Sequence, residues 1–448
     1  MKGFDTRLLK IEENGHTLSF YPMAFSKLAE QIFLYFLGIV NSFMLSGYSS
    51  EAVTASSISS QIITLAVVLF TMAITGAVIH LSISLGRQDR DRANLICSTA
   101  FYAILAVSLI VAAVIIIFSR GILGIMNVED YMLGMSMSYL RVVAAFLPVK
   151  IIMSYLNNLL ICNGYATLSL LVGVVTSITN AVLCYVVLYT HVPLPVDKIT
   201  AVAFANGIAS LSGMVLSVLL FKTKKCPFGS KFSITTLKEI LKMGIPGGMN
   251  GFSYTLSRTI TTAFIALLGV AVFNTKVYVG SLVTFAYCLS ASIGSAGGVF
   301  TGRYNGRKDF DAINSLYKRN IKLAIFCNIT ISLLLYVFHK PLIGIFTTDA
   351  YTIKLAGQIM LLDVVVEAVR AINNVSDQAL NANGDVKTTL MASVLACWLC
   401  SVLMSYVLGI KLGLGLVGVW LAFLMDESLK AIIYIIRWKS EKWKYLRI

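Results

Sequence analysis

Six polar residues, Asp363, Glu367, Arg370, Asn374, Asp377 and Asn381, interrupt a long apolar stretch of this 448-residue chain. Their offsets of 0, 4, 7, 11, 14 and 18, at about 100° of turn per helical residue, confine them to an arc of roughly 80°. One helix face is therefore continuously polar. A charge at the middle of a membrane helix costs ~2.5–3.5 kcal/mol on insertion scales, so such residues normally face a protein interior or an aqueous cavity. Carboxylates placed there can take up and release a proton. Asp363 has no cation beside it in its own helix, which suits it to carrying a proton. Glu367 and Arg370, three apart, can instead neutralise each other and merely fix packing. Asp377 and Asn381 fall near the helix end, where a solvated face is the simpler role.

The surrounding elements are membrane helices. Hydrophobic residues make up 57% of the chain and charged residues 13%, against roughly 25% charged in soluble domains. A bilayer core needs about 20 predominantly apolar residues per helix. On that measure about twelve spans are predicted, at 27–48, 52–83, 93–117, 134–159, 166–190, 199–221, 246–270, 277–302, 318–338, 353–381, 388–411 and 416–437. The first stretch mixes charges of both signs and reads as a cytoplasmic tail, not a secretory leader. Basic residues crowd the connections after even-numbered spans: Arg87, Arg90 and Arg92, then Lys222, Lys224, Lys225 and Lys231, then Arg303, Arg307 and Lys308, with Lys439, Lys442, Lys444 and Arg447 in the tail. Both termini are accordingly expected in the cytoplasm. Trp420 and Trp438, near the two ends of the last span, read as interfacial anchors. A net charge of +15 distributed this way fits topology and not nucleic-acid binding.

The chain repeats itself. "GRQDRDRAN" from Gly86 and "GRKDFDAIN" from Gly306 lie 220 positions apart, as do Gly164 and Gly384 in their Asn-Gly pairs. Because the shift spans an even number of helices, the two halves share one orientation and are expected to be related by a pseudo-two-fold axis along the membrane normal, with a central cavity between them. The expected organisation is a tail and six-helix lobe over 1–221, a basic cytoplasmic linker over 222–244, a six-helix lobe over 245–438 and a tail over 439–448. The fold class is all-α integral membrane, and the paired halves suffice as a monomer.

Other intramembrane polar groups carry less information. Arg258 can pair with Glu367 or Asp363 across its lobe, or snorkel to the interface. Asp426, Glu427 and Lys430 contain an i, i+4 pair whose simplest role is packing. Arg141 and Lys150 flank Pro148, where a kink is expected. The eight cysteines show neither ligand spacing nor a disulfide framework. Cys397 and Cys400 have redox spacing but lie inside a span. His80 and His339, near helix ends, are expected at the interface. The Gly-rich "GSAGGVFTG" (294–302) lacks the lysine and strand context of a phosphate loop and reads as close helix packing. No metal site and no cofactor are expected.

The two six-helix halves, the pair "LGRQDRDRA" and "NGRKDFDAI", and "LKMGIPGG" opening the second half resemble the MATE (multidrug and toxic compound extrusion) transporters over nearly the whole chain. "EAVRAINNVSDQALNANGDVK" resembles the tenth helix of a bacterial branch with an "EPGRA-N" signature, here Glu367, Arg370, Ala371 and Asn373. The resemblance implies a multi-pass protein of the bacterial cytoplasmic membrane, surrounded by lipid, that exports cationic or amphipathic organic compounds. Export would be coupled to inward flow of a proton or sodium ion by alternating access. The chain also departs from the family pattern. An aspartate common in the first helix is Asn41 here, the fifth-helix aspartate is replaced within "NAVLC" by Asn180 and Cys184, and a frequent sixth-helix threonine is Asn206. The implied N-lobe pocket is polar but uncharged. The seventh helix lacks the glutamate some relatives carry after "GIP". Coupling must then fall to Asp363 and Glu367, with Arg370 and Asn374 orienting them and Asp377 and Arg258 lining the cavity.

Two other functions compete. A lipid-linked saccharide flippase or a dedicated metabolite exporter of the same superfamily would favour an anionic cargo and a basic cavity. A membrane enzyme would need convergent ligands, a dyad or a catalytic loop. The chain contains no HExxH and no clustered His/Cys ligands, so an enzyme is not expected.

Overall fold

Polar residues with an acceptor side chain set where the long helices begin, because the first turn of a helix carries unpaired N–H groups. Asp89 accepts from the Arg92 amide at 2.9 Å, Asp197 from Thr200 at 3.1 Å, Asp309 from Ala312 at 3.0 Å and Asp349 from Thr352 at 2.9 Å. The computed structural model describes residues 6–13, 16–46, 50–126, 130–190 and 196–446. Side chains are described over the same ranges except at 6, 7, 13, 16, 37–43, 46, 50–53 and 130.

The helices are α1 (Phe20–Ser46), α2 (Ser50–Gly86), α3 (Arg90–Ile117), α4 (Ser119–Ile125), α5 (Asp130–Ala145), α6 (Leu147–Cys162), α7 (Ala166–Tyr189) and α8 (Lys198–Thr223) in the N-terminal half. They continue as α9 (Ile234–Ala266), α10 (Val270–Gly306), α11 (Phe310–Val337), α12 (His339–Gly344), α13 (Ala350–Ala382), α14 (Val386–Leu395) and α15 (Gly415–Lys439). From α14 the chain passes directly into wider π-type turns over Ala396–Lys411, closed at the end by the Leu412 amide on the Val407 carbonyl at 2.9 Å. A short antiparallel hairpin, β1 (Lys10–Glu13) and β2 (His16–Ser19), precedes α1 and pairs Ile11 with Leu18. The all-α expectation holds apart from this hairpin.

The duplication is visible in backbone detail. Gly164 and Gly384 both take positive φ, at 90° and 81°, and Gln88 and Lys308 do so at 60° and 58°. Gly164 and Gly384 end helices, where the left-handed conformation closes the last turn. The Tyr165 amide reaches the Leu160 carbonyl and the Asp385 amide the Leu380 carbonyl, each at 2.9 Å. Every member of these pairs lies 220 positions from its counterpart.

Seven helices among the described residues are apolar enough over a long enough run to cross a membrane, and α5 with α6 forms an eighth passage bent by 43°. Pro148, inside the first turn of α6, lacks the N–H that would continue α5, which accounts for the expected kink. Of the remaining long helices, α1, α9, α13 and α15, the last three carry the charged residues discussed below. Helices generally overrun the predicted spans, α10 covering 270–306 instead of 277–302. The difference is largest at the seventh span, which starts at Ile234 and runs through Pro246. Only 224–233 of the expected linker is non-helical. Ser233 caps the added turns, and they lie so close to α2 that a Cβ on Gly76 would meet the Ile240 carbonyl oxygen at 2.1 Å.

Two compact units result, one of residues 9–81 and 89–244, the other of 245–448 with 1–8 and 82–88. In the first, Met44, Tyr139, Leu188, Ile199 and Val202 form a buried cluster. In the second, Ile265, Val279, Ile359, Val366, Val419 and Trp420 do the same.

Candidate functional site

The polar face of α13 is buried within the C-terminal unit, and each of its acids finds a partner on a neighbouring helix. Asp363, 3% exposed, accepts a hydrogen bond at Oδ1 from the Trp420 indole N–H of α15 at 2.9 Å. Its Oδ2 is buried with no hydrogen-bond partner among the described residues. Glu367, fully buried, pairs with Arg370 one turn on. The Asn328 amide of α11 donates to Glu367 Oε2 at 3.0 Å and to the Ser290 hydroxyl of α10 at 3.1 Å, where Asn374 also donates at 2.8 Å. Asn374 therefore orients Glu367 through Ser290 and Asn328 rather than directly.

Arg370 bridges two helices. Its Nε lies 3.2 Å from Glu427 Oε1 on α15, and the Asn373 amide donates to Glu427 Oε2 at 2.8 Å. Arg258 of α9 neither snorkels nor pairs with Asp363 or Glu367. It sits 3.6 Å from both Asp426 Oδ2 and Glu427 Oε1, with its guanidinium 3.7 Å from the centre of the Phe423 ring. An aromatic face and two carboxylates together hold a guanidinium better inside a unit than an interface would. Lys430 completes the cluster, 3.2 Å from Asp426 and 3.5 Å from Glu427. Thus Asp426, Glu427 and Lys430 do more than pack α15: Glu427 reaches Arg370 and Asn373 of α13, and both acids hold Arg258 of α9. Their clue in the sequence was three charges within one turn and a half of an apolar span, the same clue that marked α13.

Asp377 is half-buried and accepts from Asn250 of α9 at 2.9 Å and from Asn381 at 3.1 Å, so a merely solvated role is corrected. It lines a cavity of about 280 Å³ with Arg370, Asn374, Glu427 and Lys430. Trp420 and Trp438 are also corrected. Both are buried, and their indole N–H groups find internal acceptors, Asp363 and Asn314, each at 2.9 Å. An apolar ring with one donor is stable inside once that donor is satisfied. His80 is likewise buried, beside the Glu239 carbonyl at 3.2 Å.

The N-terminal unit holds a larger cavity of about 730 Å³. Asn180 of α7 donates to Asn206 of α8 at 2.5 Å, Cys184 lies one turn beyond with its sulfur 4.0 Å from the Asn180 oxygen, and Asn206 donates to Tyr139 at 3.4 Å. All four line the cavity. Asn41 lies in α1 with its side chain outside the described residues. The expectation of an uncharged pocket needs correction, because Lys150 also lines it. Phe146, Lys150 and Met153 share one face of the α5–α6 bend region, at spacings of four and three that the sequence offered.

Among the described residues no group of three or more His, Cys, Asp or Glu could hold a metal ion. None of the eight cysteines forms a disulfide among the described residues. Outside the spans, burial pushes the Cys226 thiol up to about 12, with nearby Cys162 adding and Arg90 and Lys224 opposing.

The sequence model of the MatE family matches residues 27–186 and again 246–407. Over 432 residues the chain is 28% identical to an uncharacterized transporter YisQ of Bacillus subtilis, covering 95% of each. It is 19% identical to a probable multidrug resistance protein NorM of Thermotoga maritima, covering 94% of this chain and 92% of that protein. A solved outward-facing multidrug resistance MATE family transporter superposes with a TM-score of 0.87 at 16% identity over the full length of both chains. With the family pattern matched twice, once in each half, the chain belongs to the MATE family of membrane transporters.

Proposed function

We propose that the chain is a cation-coupled antiporter that exports small organic compounds, organic cations among them, from the cytoplasm by alternating access, and that its termini both face the cytoplasm of a bacterial cell. The names of its relatives support multidrug efflux. The observation that carries the coupling is the buried cluster of the C-terminal unit. Three of its carboxylates, Glu367, Asp426 and Glu427, pair with three fixed cations, Arg258, Arg370 and Lys430, while the fourth, Asp363, has only the Trp420 indole as hydrogen-bond partner among the described residues. One negative charge is in excess. Leaving it bare in a low-dielectric interior is costly, so a proton or a sodium ion bound at Asp363, whose Oδ2 has no hydrogen-bond partner, restores neutrality. Glu367 is the second coupling acid, since Asn328 and Arg370 already hold it in place. Binding and release of that ion shift the balance between two arrangements of the unit, which is what coupling requires. Cargo is assigned to the 730 Å³ cavity, which falls in the range of small-molecule sites.

The test is efflux of a fluorescent organic compound from proteoliposomes under a pH gradient and a sodium gradient imposed separately. Transport driven by one of the two supports the reading and names the ion. Facilitated equilibration of the compound that ignores both gradients overturns it.

A further inference from the structure

From the charges lining the large cavity, we infer that it selects amphipathic compounds carrying an anionic group, such as a carboxylate or sulfonate, held by Lys150. This rests on the reading that the cavity admits cargo. Lys150 is the one formally charged residue among the described lining residues, and no carboxylate stands with it there. Its side-chain ammonium has no hydrogen-bond or ion-pair partner among the described residues. Side chains of one helix face lie at i, i+4 and i+7. Phe146, Lys150 and Met153 meet that spacing and all line the cavity, so the α6 face that carries the ammonium is the one turned to the ligand. Thr176, Asn180 and Asn206 on the opposing helices offer neutral donors and acceptors.

The result is a mostly apolar cavity with one cation and a few amides, the makeup of a site for an apolar body with one acidic head. An organic cation, still admitted as cargo, would meet a like charge and no counter-charge among the described lining residues, and so bind more weakly than an anion. The buried acids Asp363, Glu367, Asp426 and Glu427 all belong to the other unit, and Glu30 of α1 is already paired with Lys27 at 3.1 Å.

Three naphthalene probes of one size separate charge from shape: 2-naphthoate, 2-naphthylmethylammonium and 2-naphthalenemethanol. Binding of each to the full chain in lipid nanodiscs is measured by calorimetry at neutral pH, with empty nanodiscs subtracted. Wild type should bind naphthoate at least about tenfold tighter than the ammonium, a floor well under the roughly thousandfold that one charge pair at about 4 Å gives at an effective dielectric of 20. Lys150→Met should erase that preference and Lys150→Arg should keep it. If Lys150→Met fails to fold, Lys150→Gln serves the same comparison, and the wild-type ranking stands without either. Equal affinities, a preference for the ammonium, or a naphthoate preference that survives loss of the lysine each overturn the anion assignment while leaving the cavity a cargo site. Absence of saturable binding by all three probes overturns both.

Discussion

Replacing Arg370 with methionine should expose how tightly the buried cluster is balanced. Arg370 is the cation of Glu367, which is fully buried, and one of three for Glu427. After the substitution Glu427 keeps Arg258 and Lys430 at 3.6 and 3.5 Å, whereas Glu367 keeps only the amide of Asn328. Removing one partner of a buried pair leaves an uncompensated charge and costs ~3–5 kcal/mol. Replacing both partners with uncharged groups of similar volume is close to neutral, so Glu367→Gln added to Arg370→Met should recover at least ~2 kcal/mol. Unfolding in mixed micelles, titrated with dodecyl sulfate and followed by tryptophan emission, reads both values. Arg370→Met within ~1 kcal/mol of wild type would mean that water reaches Glu367. A double variant no better than the single one would show that Arg370 acts through packing alone. Either result refutes the reasoning.

Three further outcomes are expected. Trp420→Phe strips Asp363 of its hydrogen bond and should cost ~1–3 kcal/mol in the same titration, with Asp363→Asn in that background recovering part of it; an unchanged midpoint would count against the bond. Pro148→Ala restores an N–H at the 43° bend, and spin-label distances across α5 and α6 should report a bend below ~20°. An unchanged distance would place the cause of the bend elsewhere. With its thiol at about 12 against an ordinary 9.0, Cys226 should hold roughly a thousandfold less thiolate than a free cysteine near neutral pH. Peptide-level mass spectrometry after brief iodoacetamide treatment should find it nearly unmodified at pH 7–8, with modification increasing towards pH 10; fast labelling at pH 7 contradicts this.

The sequence made the membrane class, the order of the helices and the 220-residue repeat legible, because apolar runs and recurring short motifs can be read without reference to how the helices pack. Helix ends were less so: the turns over 234–244 carry lysines that fit a linker equally well, and only their packing on α2 makes them part of α9. The polar face of α13 could be read because helical spacing gathers it without reference to other elements. Partners from other helices could not. That Arg258 chooses Asp426 and Glu427 over Asp363 and Glu367 depends on how α9, α13 and α15 pack, and that Trp420 turns inward depends on Asp363 being there to accept its N–H. Lys150 was noticed for the proline beside it, while its place in the cavity required α2, α7 and α8 to be assembled around it.

The most direct test of coupling compares two kinds of transport in one variant. Asp363→Asn with Glu367→Gln, in proteoliposomes, is assayed for accumulation driven by a pH or sodium gradient and for exchange of labelled against unlabelled compound with no gradient. If the cluster couples an ion to cargo, accumulation is lost while exchange persists, since the cargo cavity lies in the other unit. Accumulation at the wild-type level would show that neither acid couples the ion.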